Sequence, residues 1–195
     1  RPNPFAPQTN GSTTDTSEDL VAVVNVAPLE AKPKDPQVAE WLDQARTHAA
    51  GAQWQEAAES AERALGADPE DAEATLRLGE ALAKMRSFER AVPLLERALQ
   101  RSEGRGEGAG VHSEALSLLA EVLVEKKDAL AAYRVGQTLQ RLYPNQPRTL
   151  FLSGRISHLN GDVRQAIRSF KEAARLDPEG AIGLSARESI TALGG

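Results

Sequence analysis

With 195 residues, 41% of them hydrophobic and 26% charged, the chain can bury one sizeable core or a continuous stacked one. The absence of cysteine excludes a disulfide framework and thiolate metal ligation, and a net charge of -5 with no long basic run excludes the electrostatic footprint of a nucleic-acid binder. Aromatic residues at only 4%, together with abundant alanine, suit close helix-on-helix packing better than a sheet sandwich, so an all-α fold is expected.

Residues 1–19, RPNPFAPQTNGSTTDTSED, are rich in Pro, Ser, Thr and Asp, offer little to bury and read as a linker. LVAVVNVAPL, Leu20 to Leu29, has the β-branched density of a strand, but no second strand follows for it to pair with. It reads instead as an extended apolar tether. Three roles are open: a plain linker, a flap docked on its own chain, or a contact with another chain. EAKPKDP then returns to polar, proline-bearing sequence, and residues 1–37 are expected to form one extended segment. No apolar run approaches the roughly 20 residues of a membrane helix, so direct membrane insertion of this segment is not expected. The first residue is Arg1 rather than Met, which reads as a piece of a longer or processed protein, and the excess of Arg over Lys points to a bacterial source. The cytoplasm is the favoured compartment and the periplasm the alternative.

From Asp35 onward the pattern is helical, and it repeats. Asp35 followed by Pro36 is an N-cap with proline in the first turn, and Asn145 with Pro147 gives a similar start further on. GAQWQEAAESAERALGADPED, Gly51 to Asp71, returns as NGDVRQAIRSFKEAARLDPEG, Asn160 to Gly180, and AKMRSFERAVPLLERALQ, Ala83 to Gln100, keeps the same spacing. Small residues align at Ala45, Gly79, Ala120 and Gly154, and again at Ala57, Ala91, Ala132 and Ala166, in steps of 34, 41 and 34. Ala64, Ala98, Leu139 and Ala173 form a third column in the same register, and Pro69, Glu103, Pro144 and Pro178 a turn column. The extra residues of the middle step fall in SEGRGEGAG, Ser102 to Gly110, a Gly-rich loop whose insertion costs little entropy. Gly51, Gly161 and the equivalent Ser87 mark the break between paired helices. After the last unit, Ile182, Ala186, Ile190 and Leu193 share one helical face, as an end cap over a stacked core requires.

In these residues the chain resembles the tetratricopeptide repeat family, whose unit is a helix-turn-helix with small residues at the crossing and proline near its end. The resemblance spans about residues 38 to 180 and rests on Trp41, on Leu78 with Gly79, and on Gly154 with Phe170. The third unit departs from it, with Gly136 where a large apolar residue belongs and Leu139 where a small one does. The resemblance implies a right-handed α-solenoid of about four repeats, 38–71, 72–105, 113–146 and 147–180, with an insertion loop at 106–112 and a capping helix at 181–193.

Reactive chemistry is not indicated. His48, His112 and His158 are scattered without metal-ligand spacing, no Gly-rich loop has the setting of a phosphate cradle, and no serine sits in a nucleophile elbow. Neither a metal nor a cofactor is expected, and the chain is read as not an enzyme. The resemblance implies a concave groove lined by the first helix of each unit. Its members here are Leu42 and Arg46; Leu76, Glu80 and Lys84; Ser117, Glu121 and Val124; and Phe151, Arg155 and His158. Apolar members would seat side chains of a peptide or protein partner while the charges set its direction. Leu42, Arg46 and Ser117 stand where family members that grip a C-terminal carboxylate carry Lys, Asn and a basic residue, so that clamp is not expected. The expected function is a non-catalytic interaction scaffold within a larger bacterial protein. The alternatives are a self-assembly module and a regulatory arm of an enzyme encoded elsewhere on the full chain.

Overall fold

The computed structural model describes residues 35–102 and 109–195, so the apolar tether at 20–29 and the middle of the insertion lie outside the described residues. Among the described residues the chain forms α1 (Pro36–Ala50), α2 (Trp54–Ala67), α3 (Ala72–Lys84), α4 (Phe88–Ser102), α5 (Ala109–Glu125), α6 (Ala129–Leu142), α7 (Pro147–Leu159), α8 (Val163–Leu176) and α9 (Ala181–Ala192). They make four helix-turn-helix pairs and a capping helix, the all-α solenoid that the repeat pattern requires. Each helix packs on its neighbours in the chain, and the odd-numbered helices also pack on one another, α1 on α3, α3 on α5, α5 on α7 and α7 on α9. The odd helices are therefore the inner layer, and the even helices lie outside them.

Helix starts follow the local chemistry. Asp35 accepts a hydrogen bond from the Gln37 amide at 2.8 Å, with Pro36 at the first helical position. Asp71, Asp128 and Asp162 do the same for α3, α6 and α8, accepting from Ala74, Ala131 and Gln165. The start of α7 differs from expectation: Pro147 opens it, but Gln146 occupies the cap without a side-chain bond to the helix's own amides, and Asn145 lies outside the helix. Helix α5 begins at Ala109, so residues 109–112, expected within the insertion loop, form its first turn.

The turns inside each pair share one backbone device. Ala52, Arg86, Lys127 and Gly161 all have φ between 56° and 81°, and they recur in the repeat register. Gly51, with φ -83°, sits one residue before the left-handed position, so the Gly51 and Ser87 reading was displaced around it by one residue on either side. Only the fourth unit places glycine where the backbone requires it. Ala52→Gly is accordingly expected to stabilise the fold by about 0.5 kcal/mol, the relief of left-handed strain exceeding the added chain entropy, and Gly161→Ala to destabilise it by about 1 kcal/mol. Thermal unfolding followed by circular dichroism checks both signs.

The three columns of small residues all lie in the core: Ala45, Ala120, Ala57, Ala91, Ala132, Ala166, Ala64, Ala98, Leu139 and Ala173 are at most 2% exposed, and Gly79 and Gly154 are buried with them. Within each unit the inner and outer helices are matched in size sixteen residues apart. Gly79 faces Leu95, where an added Cβ would lie 2.9 Å from Leu95 Cδ2, and Gly154 faces the Phe170 ring. Where the inner helix has Ala45 or Ala120, the outer position is Ala61 or Gly136. The irregular third unit is completed by its neighbour: Ile156 of α7, 4% exposed, reaches the space beside Gly136, where a Cβ would lie 2.6 Å from its Cδ1. Beyond the fourth unit α9 sets Ala186 against Ala166, Phe170 and Ala173, with Ile182, Ile190 and Leu193 flanking it. That buries the end of the stack as its apolar face predicted.

Candidate partner-binding face

Each inner helix has its own outer partner on one side and other inner helices beside it, which leaves a narrow stripe open. Leu42 and Leu76 are 1% and 0% exposed and belong to the core, and Ser117, 2% exposed, donates to the Ser113 carbonyl. Leu42 and Leu76 face the seams between helices rather than an accessible surface, while Ser117 touches a cleft between the starts of α5 and α7. Leu42 lies only four residues before Arg46, about 40° around the helix, and that rotation is enough to carry it into the seam. Val124 and Phe151 are half-buried, Val124 against the central core and Phe151 beside Phe170 at 5.4 Å between ring centroids. His158 is exposed near the end of α7.

The charged members all enter ion pairs, mostly with charged residues outside that set. Arg46 on α1 reaches Glu73 on α3 at 3.2 Å. Arg77 on α3 donates two bonds to Glu114 on α5, at 2.9 and 3.0 Å, and one to Glu80 at 2.9 Å. Glu121 on α5 lies between Lys84 on α3, at 3.9 Å, and Arg148 on α7, at 3.3 Å. Glu125, at the end of α5, pairs with Arg155 on α7 at 2.5 Å and with Arg86 of the α3–α4 turn at 3.5 Å. The result is a ladder of ion pairs that crosses every joint between the inner helices of the four units. Its α5 rung is wholly acidic and its α7 rung wholly basic.

The electrostatics follow from that geometry. Burial opposes the charge of Arg77, yet hydrogen bonds and attraction from Glu114 and Glu80 raise its pKa above the ordinary value. The hydrogen bond from Arg155 holds the Glu125 carboxyl below the usual carboxylate range, against partial desolvation and aided by the Arg155 and Arg86 charges. Its stabilising contribution is thus present above the unfolded-state pKa and lost as the pH falls through the depressed folded value. Each half-exposed pair is worth at most about 1 kcal/mol, so the ladder fixes the register of neighbouring helices more than it adds stability.

Sequence reasoning missed Glu73, Arg77, Glu114, Glu125 and Arg148. A signal for three of them was present: Glu73, Glu114 and Arg148 stand seven residues before Glu80, Glu121 and Arg155, two helical turns back on the same face. The ladder opens beside Arg148 into a cleft of about 450 Å³ between the starts of α5 and α7, lined by Ser113, Glu114, Ser117, Tyr143, Gln146 and Arg148. Among the described residues no group of His, Asp and Glu could hold a metal ion, and no helix is long and apolar enough to cross a membrane.

The outer layer has a different character. Four exposed positions recur in register along the even helices. They read Gln55, Glu59, Glu62 and Gly66 on α2, then Glu89, Pro93, Glu96 and Gln100 on α4. On α6 they become Leu130, Arg134, Gln137 and Arg141, and on α8 Arg164, Arg168, Lys171 and Arg175. In these four columns the charged groups are carboxylates in the first two units and cations in the last two, while Arg63, Arg90 and Arg97 are exposed beside the carboxylates of α2 and α4, Arg90 at 4.0 Å from Glu62.

Paired helices, small residues at every crossing, a recurring left-handed turn and an end cap define a helical-repeat protein. The chain belongs to the tetratricopeptide repeat family: one tetratricopeptide repeat model matches residues 42–106 and 80–147, and a second matches residues 147–179. No curated protein matches the sequence. Among solved structures, the chain resembles MamA 41-end from Desulfovibrio magneticus RS-1, with a TM-score of 0.62 and 18% identity over 82% of this chain and 94% of that one. It also resembles MamA MSR-1, with a TM-score of 0.58 and 24% identity over 82% of this chain and 86% of that one. These likenesses are of fold. A fold of this kind is typical of protein–protein interaction scaffolds.

Proposed function

We propose that the chain is a non-catalytic scaffold that binds an extended or helical segment of another protein across its inner face, chiefly over α5 and α7. The observation that carries this reading is the abrupt change of sign there, with Glu114, Glu121 and Glu125 on α5 beside Arg148 and Arg155 on α7. A partner segment with basic side chains over α5 and acidic ones over α7 would exchange ion pairs with the ladder instead of leaving charges unpaired. Val124 and Phe151, half-buried beside these rungs, supply apolar contact, and His158 extends the basic rung. Arg46, Glu80 and Lys84 continue the surface toward the first units. The surface is already held by helix packing, so little entropy is lost in ordering it.

The test reverses polarity at the α5–α7 joint, giving up only the exposed contact of Glu125 with Arg86. In Glu125→Arg combined with Arg155→Glu the bond across the α5–α7 joint is kept but its direction is inverted. Proteins captured by the wild-type chain and identified by mass spectrometry are expected to fall at least tenfold in recovery on the swapped chain, at unchanged thermal stability. Undiminished recovery places the partner elsewhere.

A further inference from the structure

We propose that the outer layer is a self-complementary interface through which two copies of this chain associate back to back about a two-fold axis, each copy's acidic first half lying on the other's basic second half. The four outward columns carry carboxylates in the first two units and Arg134, Arg141, Arg164, Arg168, Lys171 and Arg175 in the last two; with the flanking Arg63, Arg90 and Arg97 set against five exposed carboxylates, the exposed charge is -2 over α2 and α4 and +6 over α6 and α8. A surface polarised in this way repels a parallel copy of itself and attracts an antiparallel one. A two-fold axis between α4 and α6 sets unit one against the partner copy's unit four and unit two against its unit three, satisfying both halves at once.

Two further observations favour a second copy as the occupant. The cations of the inner face are held in ion pairs, whereas the side chains of Arg134, Arg141, Arg164 and Lys171 meet no carboxylate among the described residues. Large exposed apolar side chains also concentrate here. Leu130 and Tyr133 are 62% and 50% exposed on α6, next to the change of sign and so beside the proposed axis, and Val163 at the start of α8 is 39% exposed. An apolar centre with a charged periphery is the usual anatomy of a protein interface. The inner faces would remain open on opposite sides of the pair, so the dimer would be bivalent for the partner proposed above.

Sedimentation velocity on the full chain tests the proposal with two charge-reversed variants. One is Glu59→Arg with Glu62→Arg, and the other is Arg168→Glu with Lys171→Glu; all four side chains are exposed, and circular dichroism checks that each variant folds. At about 50 mM salt the wild-type chain is expected to sediment at twice its 20.9 kDa mass, and the dimer to weaken at least tenfold by about 500 mM. Each variant alone repels its own kind and is expected to be monomeric, whereas an equimolar mixture of the two restores a dimer. Variants that associate as the wild type does overturn the proposal, as does a mixture of folded variants that stays monomeric. A wild-type chain that remains monomeric to about 100 μM at low salt also overturns it, and its binding an Asp/Glu-rich peptide or phosphatidylglycerol vesicles would then assign the basic half to that anionic ligand instead.

Discussion

Gly183→Ala is expected to release α9 from the end of the stack. The first turn of α9 passes so close to the end of α8 that a Cβ at position 183 would fall on the Asp177 carbonyl oxygen. That oxygen is backbone, and its surroundings cannot yield cheaply. The Asp177 amide is bonded to the Ala173 carbonyl at 3.1 Å, and its carboxylate accepts from the Gly183 amide at 3.2 Å. Overpacking against fixed backbone costs about 3 kcal/mol. For a chain of this size that corresponds to a fall in Tm of roughly 6–12 °C. The diagnostic result is spatial: amide exchange should accelerate in α9 and along the Phe170 face of α8 while α1 to α4 keep their protection, because repeat arrays couple mainly between neighbours. Unchanged protection of α9 would mean that its apolar face, not the close backbone approach, holds it in place.

The second large effect is expected at Gly154. Alanine there would bring its Cβ to 2.5 Å from Cε1 of Phe170, a ring that is 2% exposed and hemmed in by Phe151 and Ala186. A loss of about 2–3 kcal/mol follows. If size matching between the two helices is the cause, the loss should vanish in a Phe170→Ala background, which recreates the Ala45 and Ala61 pairing of the first unit. A double-mutant cycle by urea denaturation should then give a coupling energy near the full cost of the single change, on the order of 2 kcal/mol. Additive losses would show that Gly154 is needed for another reason.

Much of this arrangement is legible along the chain. The columns led by Ala45, Ala57 and Ala64 mark helix crossings, because only small side chains let two helix axes meet closely at a fixed step. Other features depend on contacts that no column contains. The space beside Gly136 is filled by Ile156 from the next unit, twenty residues away, so the third unit read alone looked incomplete. Leu42 and Leu76 have helical positions compatible with the inner face but turn into seams whose width depends on neighbouring units. Arg46, Glu80, Glu121 and Arg155 were recognisable as inner-face charges, whereas the pairing of Arg46 with Glu73, Glu121 with Arg148 and Arg155 with Glu125 depends on the offset between helices. The left-handed turn residue escaped notice at Ala52, Arg86 and Lys127 because the usual glycine signal is absent there.

The neighbour-to-neighbour packing also bears on how the molecule folds. Among the side-chain hydrogen bonds of the described residues, the widest sequence separation is 39, between Arg86 and Glu125, barely more than one unit. Contacts so local keep loop-closure entropy small, and chains of low contact order fold in microseconds to milliseconds. Any adjacent pair of helices can therefore serve as a starting point, with order spreading outward in both directions. During synthesis the first units could assemble as they emerge, without waiting for α9 to be made.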